Sequence, residues 1–213
     1  MAASKSSFMK DALILFAITL VSGLCLGFVY ELTKDPIAQA TIEANNRTYR
    51  EVLPAASEFT AVEGSEEQIA VMEASGELSG LNLGGIAVES ALEGKDASGN
   101  TVGYVLNSLS NDSYGGAVKI SVGFDADGTI TGVGIREISD TPGLGLKAKE
   151  DDFKGQYIGK NADKLTVTKN GASADTEIDA ISGATITSNA VTNAVNAALY
   201  YLHTYINWGG WVS

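Results

Sequence analysis

The chain has 213 residues, 45% hydrophobic and 19% charged, a globular composition with length enough for one domain with a real core after an N-terminal apolar stretch. Its net charge of −12 offers nothing to neutralise a row of phosphates, which excludes nucleic acid as a partner and a polybasic grip on anionic lipid. The single cysteine, Cys25, lies in the apolar stretch and the single histidine is His203, so disulfides, iron–sulfur clusters, thiolate or histidine metal sites and a Ser-His-Asp hydrolase are excluded as well.

Residues 1–11 are short and polar, with Lys5 and Lys10. Residues 12–30 then carry no charged side chain. At ~1.5 Å per residue they span roughly 28 Å, close to the ~30 Å hydrocarbon core of a bilayer. A cleavable signal peptide would have a shorter apolar region, and the first Ala-x-Ala pattern, Ala38-Gln39-Ala40, lies well past this one. Cys25 follows Leu24 rather than a small residue, so a lipoprotein site is not indicated. The segment reads as one uncleaved transmembrane helix. Lys5 and Lys10 on one side nearly balance Lys34, Arg47 and Arg50 on the other, so charge alone does not orient it.

Residues 37–53 read as a helix that starts after Pro36 and stops at Pro54, within a connecting segment over 31–60. The body is expected over 61–213. Its first part, to about residue 100, is acidic and Gly-rich, with a short helix near 66–73, a strand near 85–90 and otherwise loops. From Thr101 the β signal is strong: β-branched runs at 102–108, 116–124 and 129–138, with Asp125-Ala126-Asp127-Gly128 as a hairpin turn between the last two. A fourth run at 164–168 ends at Asn170-Gly171, a second hairpin signal. The expected fold is α+β: an antiparallel sheet with helices packed on it, behind a single N-terminal transmembrane helix.

Two Gly-rich loops interrupt the strands. The first is Ser113-Tyr114-Gly115-Gly116 and the second Ser139-Asp140-Thr141-Pro142-Gly143-Leu144-Gly145. Each alone is simply a turn. Together they provide close backbone approach, N–H donors and apolar or aromatic faces, which suit a flat ring ligand.

The stretch Asp179-Ala180-Ile181-Ser182-Gly183-Ala184-Thr185-Ile186-Thr187-Ser188 runs into a segment, 189–206, whose Val191, Ala194, Val195, Ala198 and Leu202 recur at helical spacing. Small and hydroxyl residues in this place mark a helix start, with Ser or Thr as caps. Such a start exposes N–H groups and the positive dipole end, which favour a phosphate. Gly183 and Ala184 keep bulk away and Thr185 offers a hydroxyl beside it. A capped surface helix after a glycine turn is the plain reading of the same residues. His203, flanked by tyrosines, reads as a half-buried structural residue, and Trp208 and Trp211 suit either a membrane interface or packing on the domain.

The string Asp179-x-x-Ser182-Gly183-Ala184-Thr185 resembles the flavinylation motif of the FMN-binding domain family, whose members include G subunits of Rnf ferredoxin:NAD oxidoreductases and C subunits of sodium-translocating NADH:quinone reductases. The Tyr/Gly-Gly loop, the Asp-x-Asp-Gly hairpin and the Thr-Pro-Gly-Leu-Gly loop resemble it too, in family order, with Asp140 where Glu is common. The resemblance implies covalent FMN, esterified through its phosphate to Thr185 by a flavin transferase that uses FAD. It implies hydrogen bonds to that phosphate from the region of Ser182, Gly183, Ala184 and Thr187, and an isoalloxazine ring against Thr141, Pro142, Gly143, Leu144, Gly145 and Tyr114, Gly115, Gly116. Asp179 would orient the motif, contact the flavin, assist the transferase, or serve as a turn-forming residue. The resemblance further implies an electron-relay subunit, single-pass in the cell membrane with its domain outside the cytoplasm, assembled with other membrane subunits of an ion-translocating complex and better matched to the Rnf subunit. The equivalent sodium-pump subunit, another extracytoplasmic flavin relay, and a non-redox anchored module are the alternatives. No nicotinamide fingerprint, substrate base or metal site is visible on the chain.

Overall fold

The computed structural model describes the backbone of residues 3–206 and the side chains of residues 9–28 and 45–206. The Trp208 and Trp211 pair lies outside the described residues. The chain divides into two compact units, Met1–Ala44 and Asn45–Ser213.

In the first unit, helix α1 (Ala3–Val52) begins, and its Met9–Phe28 stretch is long and apolar enough to cross a membrane. Leu13, Phe16, Leu24 and Leu26 are each more than half exposed. The Thr19 hydroxyl donates to the Leu15 and Phe16 carbonyls, so it brings no unpaired donor into this run. The stretch fits a membrane anchor. The helix is continuous through Pro36, where the sequence predicts two. An internal proline removes one hydrogen bond and crowds one carbonyl without forbidding a helix, and flanking Ala38, Ala40, Glu43 and Ala44 are good helix formers.

The second unit is built on a five-stranded antiparallel sheet. Its strands are β1 (Glu58–Ala61), β2 (Ile86–Lys95), β3 (Thr101–Ser113), β4 (Gly116–Asp125) and β5 (Ile130–Ile138), hydrogen-bonded in that order. Helices α2 (Ser65–Ser75) and α3 (Glu77–Gly80) fill the connection before β2, and α4 (Asp151–Lys154) lies between two 3₁₀ turns after β5. Two short strands, β6 (Thr166–Thr168) and β7 (Glu177–Asp179), precede the long helix α5 (Thr185–Tyr205).

Strand alternation separates two apolar clusters. Leu106 of β3 and Val118, Ile120, Val122 and Phe124 of β4 pack with α5, whose Val191, Ala194, Val195, Ala198, Leu199 and Leu202 are fully buried. Val105, the neighbour of Leu106, belongs instead to the cluster of Tyr49, Val52, Leu53 and Ala56. Residues 45–56, within the segment read as a connector, therefore belong to the compact unit. The sheet receives Val52 closely because Gly123 and its cross-strand partner Gly132 lack side chains: a Cβ on either would run into the Val52 backbone. Buried Asn107 ties this layer to the sheet, donating to Tyr49 Oη at 2.9 Å and Ser90 Oγ at 2.8 Å and accepting from Ser121 Oγ at 2.6 Å.

Three further expectations are corrected. The segment read as mostly loop, with a strand near 85–90, holds a ten-residue strand, β2, that runs on to Lys95 and whose Glu89 and Glu93 are paired with Arg136 and Lys95. Strand β6 pairs with β7 in parallel, so Asn170-Gly171 is not the turn of a hairpin; residues 169–176 carry the chain back to the same end. Helix α5 starts at Thr185 rather than near residue 189, with Ala184 at the cap position and no side-chain cap.

Candidate functional site

Three segments converge at the N-terminal end of α5. The loop after β5 makes a tight turn in which the Leu144 and Leu146 N–H groups donate to Thr141 O, both at 3.2 Å. Pro142 followed by Gly143 at φ 75° is the signature of a type II turn. The β3–β4 turn lies against this loop: Ser113 Oγ donates to Asp140 Oδ2 at 2.9 Å, and a Cβ on Gly115 would collide with the Ser139 carbonyl. The third segment is the motif. Thr187 Oγ1 donates to the same Asp140 oxygen at 2.6 Å, and Leu144 lies beside Gly183, which sits at φ 76°.

Between them lies a cleft of about 550 Å³ lined by Tyr114, Asp140, Thr141, Leu144, Gly145 and residues 183–187. The volume is that of a small-molecule site. Tyr114, Leu144 and Ile186 are 73%, 42% and 56% exposed and all face it. In the second unit only Val71 and Ile158, among the described residues, are comparably exposed large apolar side chains. Apolar surface is therefore concentrated where a flat ligand would cover it.

The hydroxyls of the motif have separate fates. Thr187 is 1% exposed and committed to Asp140. Ser188 is fully buried, accepts from the Ile181 N–H at 2.9 Å and donates to the Ala184 carbonyl. Ser182 is exposed but lines a different cavity. Thr185 alone lines the cleft with a partly exposed hydroxyl that has no hydrogen-bond partner among the described residues. Because Ala184 has no oxygen to cap the helix, the first N–H groups of α5 have no intrahelical or capping acceptor. An open helix start beside a free hydroxyl is a ready phosphate position. A capping role for Thr185 is overturned by its place as the first helical residue.

Asp140 is the polar hub. Burial opposes its ionisation, but hydrogen bonds from Thr187, the Thr141 N–H, Ser113 and the Gly115 N–H outweigh this and hold its carboxyl below the usual carboxylate range. Gly145 must be glycine here, since a Cβ would enter the Asp140 carboxyl group.

The structure thus brings Tyr114, Thr141, Leu144, Gly145, Gly183, Ala184, Thr185 and Thr187 to one cleft. Gly115, Gly116, Pro142 and Gly143 shape its loops without lining it. Asp179 and Ser182 face a separate cavity of about 220 Å³ with Lys147, Asp152 and Gln156. There the Gln156 amide clamps the Asp179 backbone, accepting from its N–H at 2.7 Å and donating to its carbonyl at 3.4 Å. Sequence reasoning missed Ile186 as a lining residue and Asp140 as a hub. An apolar residue exposed on the first turn of a helix is a faint signal for the one, and a carboxylate beside a Pro-Gly turn for the other. Among the described residues no cluster of His, Cys, Asp or Glu is arranged to hold a metal ion.

Residues 113–200 match the family model of the FMN-binding domain, and residues 1–52 match that of the RnfG N-terminal region. The chain is 35% identical over 196 residues to the G subunit of the Na(+)-translocating ferredoxin:NAD(+) oxidoreductase complex of Acetobacterium woodii, covering 89% of each protein. It is 32% identical over 203 residues to the G subunit of the proton-translocating ferredoxin:NAD(+) oxidoreductase complex of Clostridium ljungdahlii, covering 92% of this chain and 96% of that one. A solved structure, the C subunit of the Na(+)-translocating NADH-quinone reductase of Parabacteroides distasonis, is similar over 77% of this chain and 93% of its own, at 22% identity and a TM-score of 0.49. The chain belongs to the family of G subunits of ion-translocating oxidoreductase complexes, and its second unit carries that family's FMN-binding domain.

Proposed function

We propose that this chain is the membrane-anchored flavoprotein subunit of an ion-translocating ferredoxin:NAD oxidoreductase, carrying FMN esterified to Thr185 and relaying electrons through it. The observation that carries the reading is the Thr185 hydroxyl, without a hydrogen-bond partner among the described residues, on an uncapped helix start that opens into an apolar-rimmed cleft. The residues present fit the group. The N–H groups at 185–187 face where the phosphate would sit, Gly183 keeps the backbone approachable, and Tyr114, Leu144 and Ile186 offer apolar cover to a ring. When bound, the flavin supplies the redox chemistry. The chain contributes position, shielding and local charge, the last from ionised Asp140.

Transfer from FAD by a flavin transferase would form the bond between the Thr185 oxygen and the FMN phosphorus and break the pyrophosphate, with AMP as leaving group and the hydroxyl proton lost to a base of the transferase. Thr187 would not take part in phosphate binding through its hydroxyl, which is committed to Asp140. Asp179 and Ser182, facing the other cavity, would act on the motif's shape or on the transferase rather than on the ring. Residues 12–30 would span the cell membrane once, with the domain outside the cytoplasm. A covalent tether suits that location, where a dissociated cofactor would be lost by dilution. The other subunits of the complex would supply donor and acceptor.

The test is in-gel flavin fluorescence of denatured protein made beside an active flavin transferase. A fluorescent wild-type band that disappears in Thr185→Ala is the expected result. A dark wild-type band, with a control acceptor labelled in the same cells, would overturn the reading and leave an anchored module of another kind.

A further inference from the structure

We propose that Asp140 is the positioning residue of this site: its carboxylate locks the first turn of α5 to both cleft loops and thereby holds Thr185 facing the cleft. One oxygen, Oδ2, accepts from Ser113 at the end of β3 and from Thr187 in the first turn of α5. The other, Oδ1, accepts from the Thr141 N–H at 2.7 Å. These partners come from the three segments that wall the cleft, and they lie 27 and 47 residues from Asp140 in the case of Ser113 and Thr187. No other side chain among the described residues joins all three. Hydrogen bonds to an ionised acceptor are roughly twice as strong as neutral ones, so the junction is a stiff one.

The position of Thr187 makes the coupling specific. Thr185 and Thr187 stand on the same turn, so pinning one fixes the rotation of that turn and the direction of the other. The same bond occupies the Thr187 hydroxyl, leaving Thr185 as the motif's available acceptor. The glycines agree with a fixed carboxylate: Gly145 and Gly115 leave room for Asp140 and Ser139 where any Cβ would intrude. Among the described residues no such set of hydrogen bonds joins Asp179 to the cleft, and it lines another cavity.

The inference rests on the flavin reading only for its final consequence, so the test has a flavin-free arm. Hydrogen exchange is followed in the full chain in detergent, in a Thr185→Ala background that carries no flavin on that residue. Asp140→Ala, and separately the near-isosteric Thr187→Val, should speed exchange of the first hydrogen-bonded amides of α5, beginning with Ser188, whose N–H donates to the Ala184 carbonyl at 3.0 Å, and continuing through Asn189 and Ala190, by about tenfold or more, the fold-change expected on losing one charge-assisted hydrogen bond. Exchange at Ala194, Ala198 and Leu202 should be unchanged. In the flavin-loaded chain with Thr185 intact, both variants should lower the fluorescence anisotropy of the bound flavin. Unchanged exchange at 188–190 in both variants would overturn the proposal, as would equal acceleration along the whole of α5, which marks general destabilisation. A dark band in the loaded protein would sink the flavin reading while leaving the exchange result to decide the lock.

Discussion

Thr187 and Asp140, 47 residues apart in the chain, are joined by a hydrogen bond of 2.6 Å that fastens the start of α5 to the loop after β5. The bond ties the phosphate-favouring end of a helix to the loop that would carry the ring of a bound flavin. It also makes the site sensitive to the charge of a single carboxyl.

The first prediction follows from that charge. Although burial opposes ionisation of Asp140, the hydrogen bonds from Thr187, Thr141, Ser113 and Gly115 leave its folded-state value lowered. A lowered carboxylate contributes stability that is complete above its unfolded value of ~3.9 and is lost as pH falls through the still lower folded value. Asp140→Asn should therefore be less stable than wild type at neutral pH, with the difference shrinking as pH falls below the ordinary carboxylate range and through the lowered folded-state value. Glu77, lowered by Tyr205, Ser75 and Tyr200, adds acid sensitivity to both proteins alike, so the difference between them isolates Asp140. Urea titrations at a series of pH values measure it. A gap that persisted unchanged into acid would contradict the assignment.

Gly183 supports a second prediction. Its φ of 76° lies in the left-handed region, and an added Cβ would stand 3.1 Å from a Leu144 methyl. Gly183→Ala should cost roughly 1–2 kcal/mol from the backbone alone. It should also push Leu144 toward the cleft, so covalent flavin loading should fall more than the stability loss explains. Comparing band fluorescence with the thermal midpoint separates the two effects.

A third concerns the buried polar junction on the opposite face of the sheet. Asn107 is 2% exposed and satisfies Tyr49, Ser90 and Ser121 at once. Asn107→Leu would leave three hydroxyls without this partner in a buried layer, at about 1–3 kcal/mol for each that water does not reach. The expected outcome is a lower denaturation midpoint with the flavin still attached at Thr185, because the junction is remote from the cleft. Loss of loading at full stability would contradict that separation.

What the sequence disclosed was local. Three long strands, β3, β4 and β5, were readable from their β-branched runs, and the helix over Val191 to Leu202 from its spacing. The anchor was readable from uninterrupted apolarity. The turn glycines were readable for the same reason, since Gly143 and Gly183 each serve a bend of a few residues. β2 was readable only in its first half, as a strand near 85–90, because a bulge between Val88 and Ser90 breaks its alternation and its charged residues look like loop until their partners Arg136 and Lys95 are seen. The start of α5 was placed late because residues 185–188 are hydroxyl-rich and β-branched, weak helix formers that packing and the Asp140 contact override. The division of the motif between two cavities was illegible for a further reason. Asp179 and Thr185 sit six positions apart yet line different cavities, with the left-handed turn at Gly183 between them.

The last prediction concerns where the second unit begins. Tyr49, Val52, Leu53 and Ala56 cover the face of the sheet that includes Val105, and all five are buried. A chain begun at Asn45 keeps this layer, whereas one begun at Ser57 strips it and uncovers Val105. Burying a side chain such as Val52 or Leu53 is worth roughly 1.5–3 kcal/mol, against a total stability of about 5–15 kcal/mol for a domain. The shorter chain would also remove the Tyr49 partner of Asn107. A protein begun at Asn45 should be soluble without detergent, unfold cooperatively and accept flavin on Thr185 when made beside the transferase. One begun at Ser57 should aggregate or melt far lower, and its labelling should fall with its folded fraction. Equal stability of the two would mean that residues 45–56 contribute nothing to the domain, contrary to their burial.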